Sequence, residues 1–181
     1  YRRIPSDMYG DTMFSTVKSS RGNTAAQIFC TNFAWSRSFP LKSKGEAHEA
    51  LSLLFSREGV PRKLICDNLK EQLLGAFHRK CKEAGCYLRG TEAYSPWQNA
   101  AEREIKELKK GAARKLLRSG TPLCVWDYCL ELESYIRSHT AHDIYVLDGR
   151  VPETIVAGET ADISPYCEFG WWDWVMFRDQ N

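Results

Sequence analysis

The segment Lys63-Leu64-Ile65-Cys66-Asp67-Asn68 organises the fold that this sequence predicts. Its first four residues are mostly apolar, which indicates a short strand, and this strand ends at an aspartate. Gly59 and Pro61 lie just before it and end any helix that precedes it. In open α/β sheets the carboxyl ends of strands face the crevice where ligands bind, so Asp67 is a candidate functional residue. The alternative for Asp67 is a turn that caps the next helix.

Three more strands are predicted before this segment. Residues 24–31 are small, apolar and β-branched, and residues 34–41 alternate with a period near two. Another strand runs through residues 8–14, and Arg21-Gly22-Asn23 supplies turn residues after it. Three strands in succession favour an antiparallel meander.

Helical patterns alternate with the later strands. Ser43 and Glu46 form a potential capping box, and apolar residues at helical spacing follow: Ala47, Ala50, Leu51, Leu54 and Phe55. Asn68 and Glu71 repeat a capping pattern before a helix that ends at Gly85. That helix has a stripe made of Leu69, Leu73, Phe77 and Cys81.

The remaining elements complete an α/β arrangement. Residues 86–89 predict a fifth strand, residues 96–117 a long helix, and Thr121-Pro122 the start of another helix. The element order is therefore β-β-β-α-β-α-β-α-α. One five-stranded mixed sheet, flanked by helices on both faces, is the natural solution. We expect residues 143–181 to form an extension with short aromatic strands.

Composition limits the class of protein. The chain has 181 residues, of which 43% are hydrophobic and 27% charged, and a net charge of +2. These values fit one domain with a sizeable core and exclude an intrinsically disordered chain. No run of about 18 apolar residues exists, so we expect no membrane partner. The sequence begins Tyr1-Arg2-Arg3 without a methionine, which suggests a piece of a longer polypeptide.

The seven cysteines form no CxxC motif, and buried thiols in a reducing compartment are the expected state. His78, Cys81 and Cys86 lie close in sequence, but three possible ligands without a fourth give only a weak zinc signal.

Three carboxylates stand out because the strand order could bring them together. Asp11 lies inside the first long predicted strand, although Asp7 is an alternative for the same role. Asp67 ends a strand, and Glu102 lies at the border of the core stripe of the long helix. Each has an ordinary explanation: an edge position facing water for Asp11, a helix cap for Asp67 and an exposed helix acid for Glu102. Together they could hold two Mg²⁺ ions about 3.5–4 Å apart for attack on a phosphodiester.

The long helix is strongly basic beside Glu102. Residues 103–118 hold seven cations and two acids, a net charge of +5: Arg103, Lys106, Lys109, Lys110, Arg114, Lys115 and Arg118 against Glu104 and Glu107. A solvated face with pairs such as Arg103–Glu107 and Glu107–Lys110 is the alternative. The excess favours a polyanion that is contacted through its phosphates.

These residues resemble the DDE catalytic core of retroviral and retrotransposon integrases. The resemblance rests on Asp11, Asp67-Asn68, the segment from Ser95-Pro96 to Glu102-Arg103, and Glu107-Leu108-Lys109-Lys110. Asp67 and Glu102 are 35 positions apart, close to the spacing in that family. The chain looks most similar to copia-type integrases, a likeness that continues downstream through Pro152, Gly158-Glu159-Thr160, Ile163-Ser164 and Phe169-Gly170.

The resemblance implies an RNase H-like fold in residues 1–142, with Asp11, Asp67 and Glu102 as catalytic acids that bind two Mg²⁺ or Mn²⁺ ions. The implied activity is 3′-end processing and strand transfer of retroelement DNA. The implied DNA-binding residues are Lys106, Lys109, Arg103, Lys110, Gln98 and Asn99. The resemblance also implies a mobile loop over Tyr94–Gln98.

It further implies several partners and a location. These are double-stranded DNA (element ends and target), further copies of the chain, and the remaining integrase domains of a polyprotein. The location is the nucleus after assembly in cytoplasmic particles.

One departure is Ala100, where a glycine typically follows the asparagine, and the loop before Glu102 is one residue shorter than usual. Two other functions remain open. A hydrolytic RNase H-like nuclease would usually need a fourth carboxylate. An inactive or domesticated copy would act as a DNA-binding or interaction module.

Overall fold

A central sheet of five strands organises the computed structural model, which describes residues 1–66, 75–90 and 96–175 and only the backbone of residues 96–101. The sheet order is β4-β3-β2-β6-β7. Its strands are β2 (Met8–Phe14), β3 (Ala25–Cys30), β4 (Ser36–Leu41), β6 (Lys63–Cys66) and β7 (Tyr87–Gly90). The short strands β1 (Arg3–Ile4) and β5 (Val60–Pro61) pair separately in parallel.

The sheet is mixed, as predicted. β3 pairs antiparallel with β2 and with β4, whereas β6 pairs parallel with β2 and with β7. The hairpins need only short turns, and the parallel strands are joined by crossovers that contain helices. β6 spans the four residues that the sequence predicts.

Five helices flank the sheet in the part of the chain that the structure describes. They are α1 (Ala47–Arg57), α2 (Ala76–Glu83), α3 (Pro96–Ser119), α4 (Trp126–His139) and α5 (Pro152–Ala157). α3 ends where Gly120 adopts a φ of 64°, a left-handed conformation that glycine tolerates without a steric penalty. The start of the predicted 68–85 helix lies outside the described residues.

The two faces of the sheet pack against different helices. Along β3, Ala25 and Phe29 contact a large apolar cluster that includes residues of α1, α2 and α5. Ala26 and Ile28 point the other way and contact α3 and α4. This alternation is the period of two that a strand imposes on its side chains. The predicted fold class, a helix-flanked α/β sheet, is confirmed.

The predicted capping box at Ser43 is wrong. The Ser43 side chain makes no capping hydrogen bond, and a 3₁₀ turn (Lys44–Glu46) precedes α1. In this turn the Glu46 backbone N–H donates to the Ser43 carbonyl at 3.2 Å. The Glu46 carboxylate instead accepts from the Lys42 backbone N–H at 2.8 Å. The 3₁₀ turn therefore moves Glu46 out of the third helical position that a capping box requires.

The segment after residue 142 differs from the expected aromatic strands. Among residues 143–175 the structure has α5, two 3₁₀ turns and no β-strand. Pro152 begins α5, and Gly158, with a φ of 80°, ends it. Leu147 and Val156 are buried in the same cluster as α1. Trp171 donates from its indole nitrogen to Thr121 Oγ1 at 3.1 Å, whereas Trp174 is exposed.

None of the helices in the described ranges is long and apolar enough to cross a bilayer.

Candidate active site and basic helix

Asp11 lies on the central strand β2, at the point where its neighbour β6 ends. Gly10 pairs with Cys66, the last residue of β6, and Asp11 is the next residue of β2. On the other side Asp11 pairs with Ile28 of β3. β2 is therefore an interior strand and not an edge strand, although its register with β6 stops at Gly10, one residue before Asp11. The half-buried Asp11 carboxylate accepts a hydrogen bond from the Thr12 backbone N–H at 2.7 Å.

The alternation of β2 decides which face Asp11 occupies. Tyr9, Asp11 and Met13 share one side of the strand, and Met13 packs against the cluster formed with α3 and α4. Asp11 therefore faces the side of the sheet that α3 covers. Met8, on the opposite side, belongs to the cluster with α1.

Asp7, the competing first acid, lies at the other end of β2. It precedes the strand and forms ion pairs with Arg62 at 3.2 Å and Lys63 at 3.5 Å. Lys63 begins β6, so Asp7 lies at the amino ends of the two parallel strands. Ligand crevices in α/β sheets lie at the carboxyl ends, which favours Asp11 over Asp7.

Glu102 is exposed in the first turns of α3. The predicted core stripe is buried at Ile105, Leu108, Ala112 and Leu116, while the side chain of Ala101 lies outside the described residues. Lys106 and Lys109 are exposed, one turn and two turns after Glu102. Asp67 lies outside the described residues. Within the described ranges there is no group of three or more Asp, Glu, His or Cys side chains placed to hold a metal ion.

A buried acid on the same helix, Glu104, is not among the residues predicted from the sequence. Glu104 is 7% exposed, and both of its oxygens are bound by Arg137 in the last turn of α4. Arg137 Nε lies 2.8 Å from Glu104 Oε1, and Nη2 lies 2.9 Å from Oε2. The available signal was that Glu104 borders the core stripe on the side opposite Glu102, as a period of 3.6 residues requires.

Glu104 and Asp11 both act on the thiol of Cys30, at the end of β3. Burial raises the pKa of this thiol well above its usual range, and the charges of Glu104 and Asp11 raise it further.

The basic surface of α3 is largely free for a partner. Lys110 pairs with Glu107 at 2.7 Å, one of the two pairs named for the alternative of a solvated face, and this contact lowers the pKa of the Glu107 carboxyl. Lys115 turns toward Glu133 of α4. The other pair of that alternative, Arg103–Glu107, is not formed, although both side chains are described. Arg103, Lys106 and Lys109 are exposed, and within the described residues no carboxylate pairs with them. The side chains of Gln98 and Asn99 lie outside the described residues.

Comparisons place this fold among known structures. No protein-family model matches the sequence, and no curated protein sequence matches it. The catalytic core domain of HTLV-2 integrase in complex with magnesium, in its trimeric form, superposes with a TM-score of 0.65 at 16% identity. This match covers 84% of the present chain and 97% of the viral one. The BIV integrase core gives 0.66 at 16% identity and covers 84% and 93% of the two chains.

A larger assembly gives a similar match. A chain of the simian T-cell lymphotropic virus intasome, solved with the PP2A regulatory subunit B56 gamma, has a TM-score of 0.68 at 14% identity. The match covers 99% of the present chain and 61% of that chain. The protein therefore has an RNase H-like fold. Within that class, its fold is that of retroviral integrase catalytic cores.

Proposed function

We propose that this chain is the catalytic core of a copia-type retrotransposon integrase, a metal-dependent polynucleotidyl transferase. Its reactions would be 3′-end processing and strand transfer of element DNA into target DNA. The observation that carries this proposal is the position of Asp11 in an integrase-like fold. Asp11 lies on the central strand, one residue past the end of β6, on the face that α3 covers. Asp67 is bonded directly to Cys66, the last residue of β6.

The donor set of the proposed site suits Mg²⁺ or Mn²⁺. Asp11, Asp67 and Glu102 would supply carboxylate oxygens, the ligands that these ions prefer, to two ions. When bound, the ions would activate the attacking hydroxyl and stabilise the leaving oxygen. The role of the protein residues is to hold the carboxylates in place: Asp11 is fixed by the pairing of β2 on both sides. The HTLV-2 core was solved with magnesium, which supports the choice of ion.

The exposed cations of α3 would bind the DNA backbone. Lys106 and Lys109 project near Glu102, and Arg103 and Lys110 extend the same surface. Gln98 and Asn99 would add contacts from the start of the helix. Lysine and arginine neutralise phosphates without reading bases, so this surface would give weak sequence preference and strong salt dependence.

The wider setting follows from the same proposal. The partners would be double-stranded DNA, further copies of the chain and the remaining domains of an integrase polyprotein. The HTLV-2 core was solved in trimeric and dimeric forms, which supports self-association. The site of action would be the nucleus, after assembly in cytoplasmic particles. Residues 1–142 would be the catalytic core. Residues 143–181 would lead away from it, with the part up to α5 packed on the core.

A metal titration tests this function. Mn²⁺ and Mg²⁺ are added to wild type, Asp67→Asn and Asp7→Asn while thermal stability is followed. Clustered carboxylates repel each other, so bound metal should raise the melting temperature of wild type and of Asp7→Asn. The gain should be much smaller in Asp67→Asn. Equal gains in all three proteins would contradict the site.

A DNA-joining assay then identifies the reaction. Wild type with Mn²⁺ should join the 3′ end of a short duplex to a second duplex, and Asp67→Asn should not. Cleavage without joining would indicate the hydrolytic nuclease. DNA binding without any metal response would indicate the inactive binding module.

A further inference from the structure

The contact between Arg137 and Glu104 joins the beginning of α3 to the end of α4. Both hydrogen bonds are short, at 2.8 and 2.9 Å, and they use both carboxylate oxygens. The side chains of Arg137 and Glu104 are 20% and 10% exposed. A bidentate contact between arginine and a carboxylate fixes the orientation of the carboxylate as well as its distance.

Stability alone does not account for a buried ion pair at this place. The desolvation of two charges offsets most of their attraction, and apolar side chains of similar volume often stabilise a fold equally well. What an ion pair adds is a preferred geometry. Here the geometry is the rotation of α3 about its own axis, because Glu104 must face α4.

That rotation also determines where Glu102 lies. Two residues in a helix are about 200° apart, so an inward Glu104 puts Glu102 on nearly the opposite side. Glu102 is indeed exposed, on the surface that carries Lys106 and Lys109. A shift of α3 by one residue, about 100°, would replace Glu102 with Ala101 or Arg103 at that position.

The same contact keeps Glu104 from acting as a metal ligand. Glu104 lies two residues from Glu102 and electrostatically near Cys30, as Asp11 does. A rotation of α3 would be needed to bring Glu104 to the position of Glu102, and in that rotated state Glu104 could compete for an ion. Because Arg137 occupies both of its oxygens, Glu104 has no oxygen without a cationic donor.

We propose that Arg137 is a positioning residue for the proposed active site. Through its two hydrogen bonds to Glu104, it sets the rotation of α3 that presents Glu102, and it withholds Glu104 from the metal ions. This inference rests on the proposed function, since it assigns Glu102 to metal binding. Arg137 itself touches neither substrate nor metal.

The chain offers a matched control for the test. Lys115 and Glu133 form a second ion pair between α3 and α4, farther along α3 from Glu102 and one turn earlier in α4 than Arg137. Glu133 is 6% exposed, close to the 7% of Glu104. Arg137→Gln and Lys115→Gln therefore each leave one buried glutamate on the same helix interface without its cation.

The experiment measures the affinity for Mn²⁺ by calorimetry, in variants that circular dichroism shows to be folded. Both substitutions should lower the melting temperature. Only Arg137→Gln should weaken Mn²⁺ binding, by about tenfold, the lower end of the effect of removing a group bonded directly to a metal ligand, because Arg137 acts through the helix. Arg137→Lys keeps the charge but not the bidentate contact. It should therefore have a higher melting temperature than Arg137→Gln and a Mn²⁺ affinity between those of Arg137→Gln and wild type.

Three outcomes would overturn the proposal, and they are distinguishable. Equal weakening by Arg137→Gln and Lys115→Gln would show a general effect of helix packing. Unchanged affinity in Arg137→Gln and Arg137→Lys, with loss of binding in Glu102→Gln, would reject the positioning role and leave the proposed function standing. Equal Mn²⁺ affinity in wild type and Glu102→Gln would reject the proposed function itself.

Discussion

The two faces of the sheet differ in how deeply their charged side chains are buried. On the face covered by α1 and α5, Arg37 is 3% exposed and lies between Glu58 at 2.8 Å and Glu153 at 2.7 Å. Its guanidinium also stacks over Trp35. On the face covered by α3, Asp11 is only half-buried and lies where β6 ends.

The charged residues that stabilise the fold and those of the proposed site therefore lie on different faces of the sheet. Arg37 and its two carboxylates, together with the indole N–H of Trp35, which donates to Glu153 at 2.9 Å, form a polar cluster beside a large apolar core. The face of Asp11 has the smaller apolar cluster and carries the exposed Glu102 and cations of α3. Changes on the first face should therefore alter folding, and changes near Asp11 should alter metal and DNA binding.

The largest effect is expected at Glu102. Glu102→Gln keeps the shape of the side chain but removes a carboxylate, so DNA joining should fall by about a thousandfold. The side chain is exposed, so the melting temperature should not change measurably. Activity assays and thermal unfolding measure the two results. The control is Glu107→Gln, which removes another carboxylate of α3. Glu107 pairs with Lys110 and is not a proposed metal ligand, so this variant should keep most of the activity.

On the opposite face, Arg37→Leu should lower the free energy of unfolding by about 3–5 kcal/mol, because the buried Glu153 and the half-buried Glu58 lose their common cation. Chemical denaturation measures this value. Arg21→Leu also removes an arginine that pairs with two carboxylates, but its side chain is 32% exposed and the loss should be smaller. An equal loss in both variants would contradict the importance of burial around Arg37.

A smaller effect is expected at Gly111, where α3 packs against Glu133 of α4. A methyl group on Gly111 would lie 1.9 Å from a carboxylate oxygen of Glu133, so Gly111→Ala must displace that side chain from Lys115. The expected loss of stability is about 1–3 kcal/mol. Gly45→Ala has only Ser43 Oγ nearby, at 3.7 Å, and should be close to neutral. A neutral Gly111→Ala would show that Glu133 moves aside without cost.

The smallest effect is expected at Lys109. Lys109→Ala should weaken DNA binding modestly and reduce the slope of affinity against salt concentration by about 0.9, the value for one phosphate contact. Fluorescence anisotropy at several salt concentrations measures the slope. Lys82→Ala on α2, on the other face of the sheet, should leave it unchanged. An unchanged slope in Lys109→Ala would show that Lys109 does not touch phosphate.

The features that could be predicted from the sequence are those that depend on residues close together along the chain. β6 and the buried stripe of α3 follow from local periodicity, and the sheet follows from the order of the elements. Glu104–Arg137 could not be predicted, because it joins residues 33 positions apart through the packing of two helices. The strands expected after residue 142 are not formed in residues 143–175, because Pro152 begins a short helix that Gly158 ends, and the Gly170 backbone N–H donates to Asp173 in a turn within the aromatic stretch. The cluster of Asp11, Asp67 and Glu102 remains a prediction.

The most direct test is the position of bound metal. Crystals grown with Mn²⁺ would be measured at a wavelength where manganese scatters anomalously. The account predicts strong anomalous peaks at the Asp11 carboxylate, with Glu102 and Asp67 completing the protein ligands and the Arg137–Glu104 contact intact. A peak at Asp7, or at Glu104 instead of Glu102, would contradict it, as would no peak at Asp11 at saturating Mn²⁺.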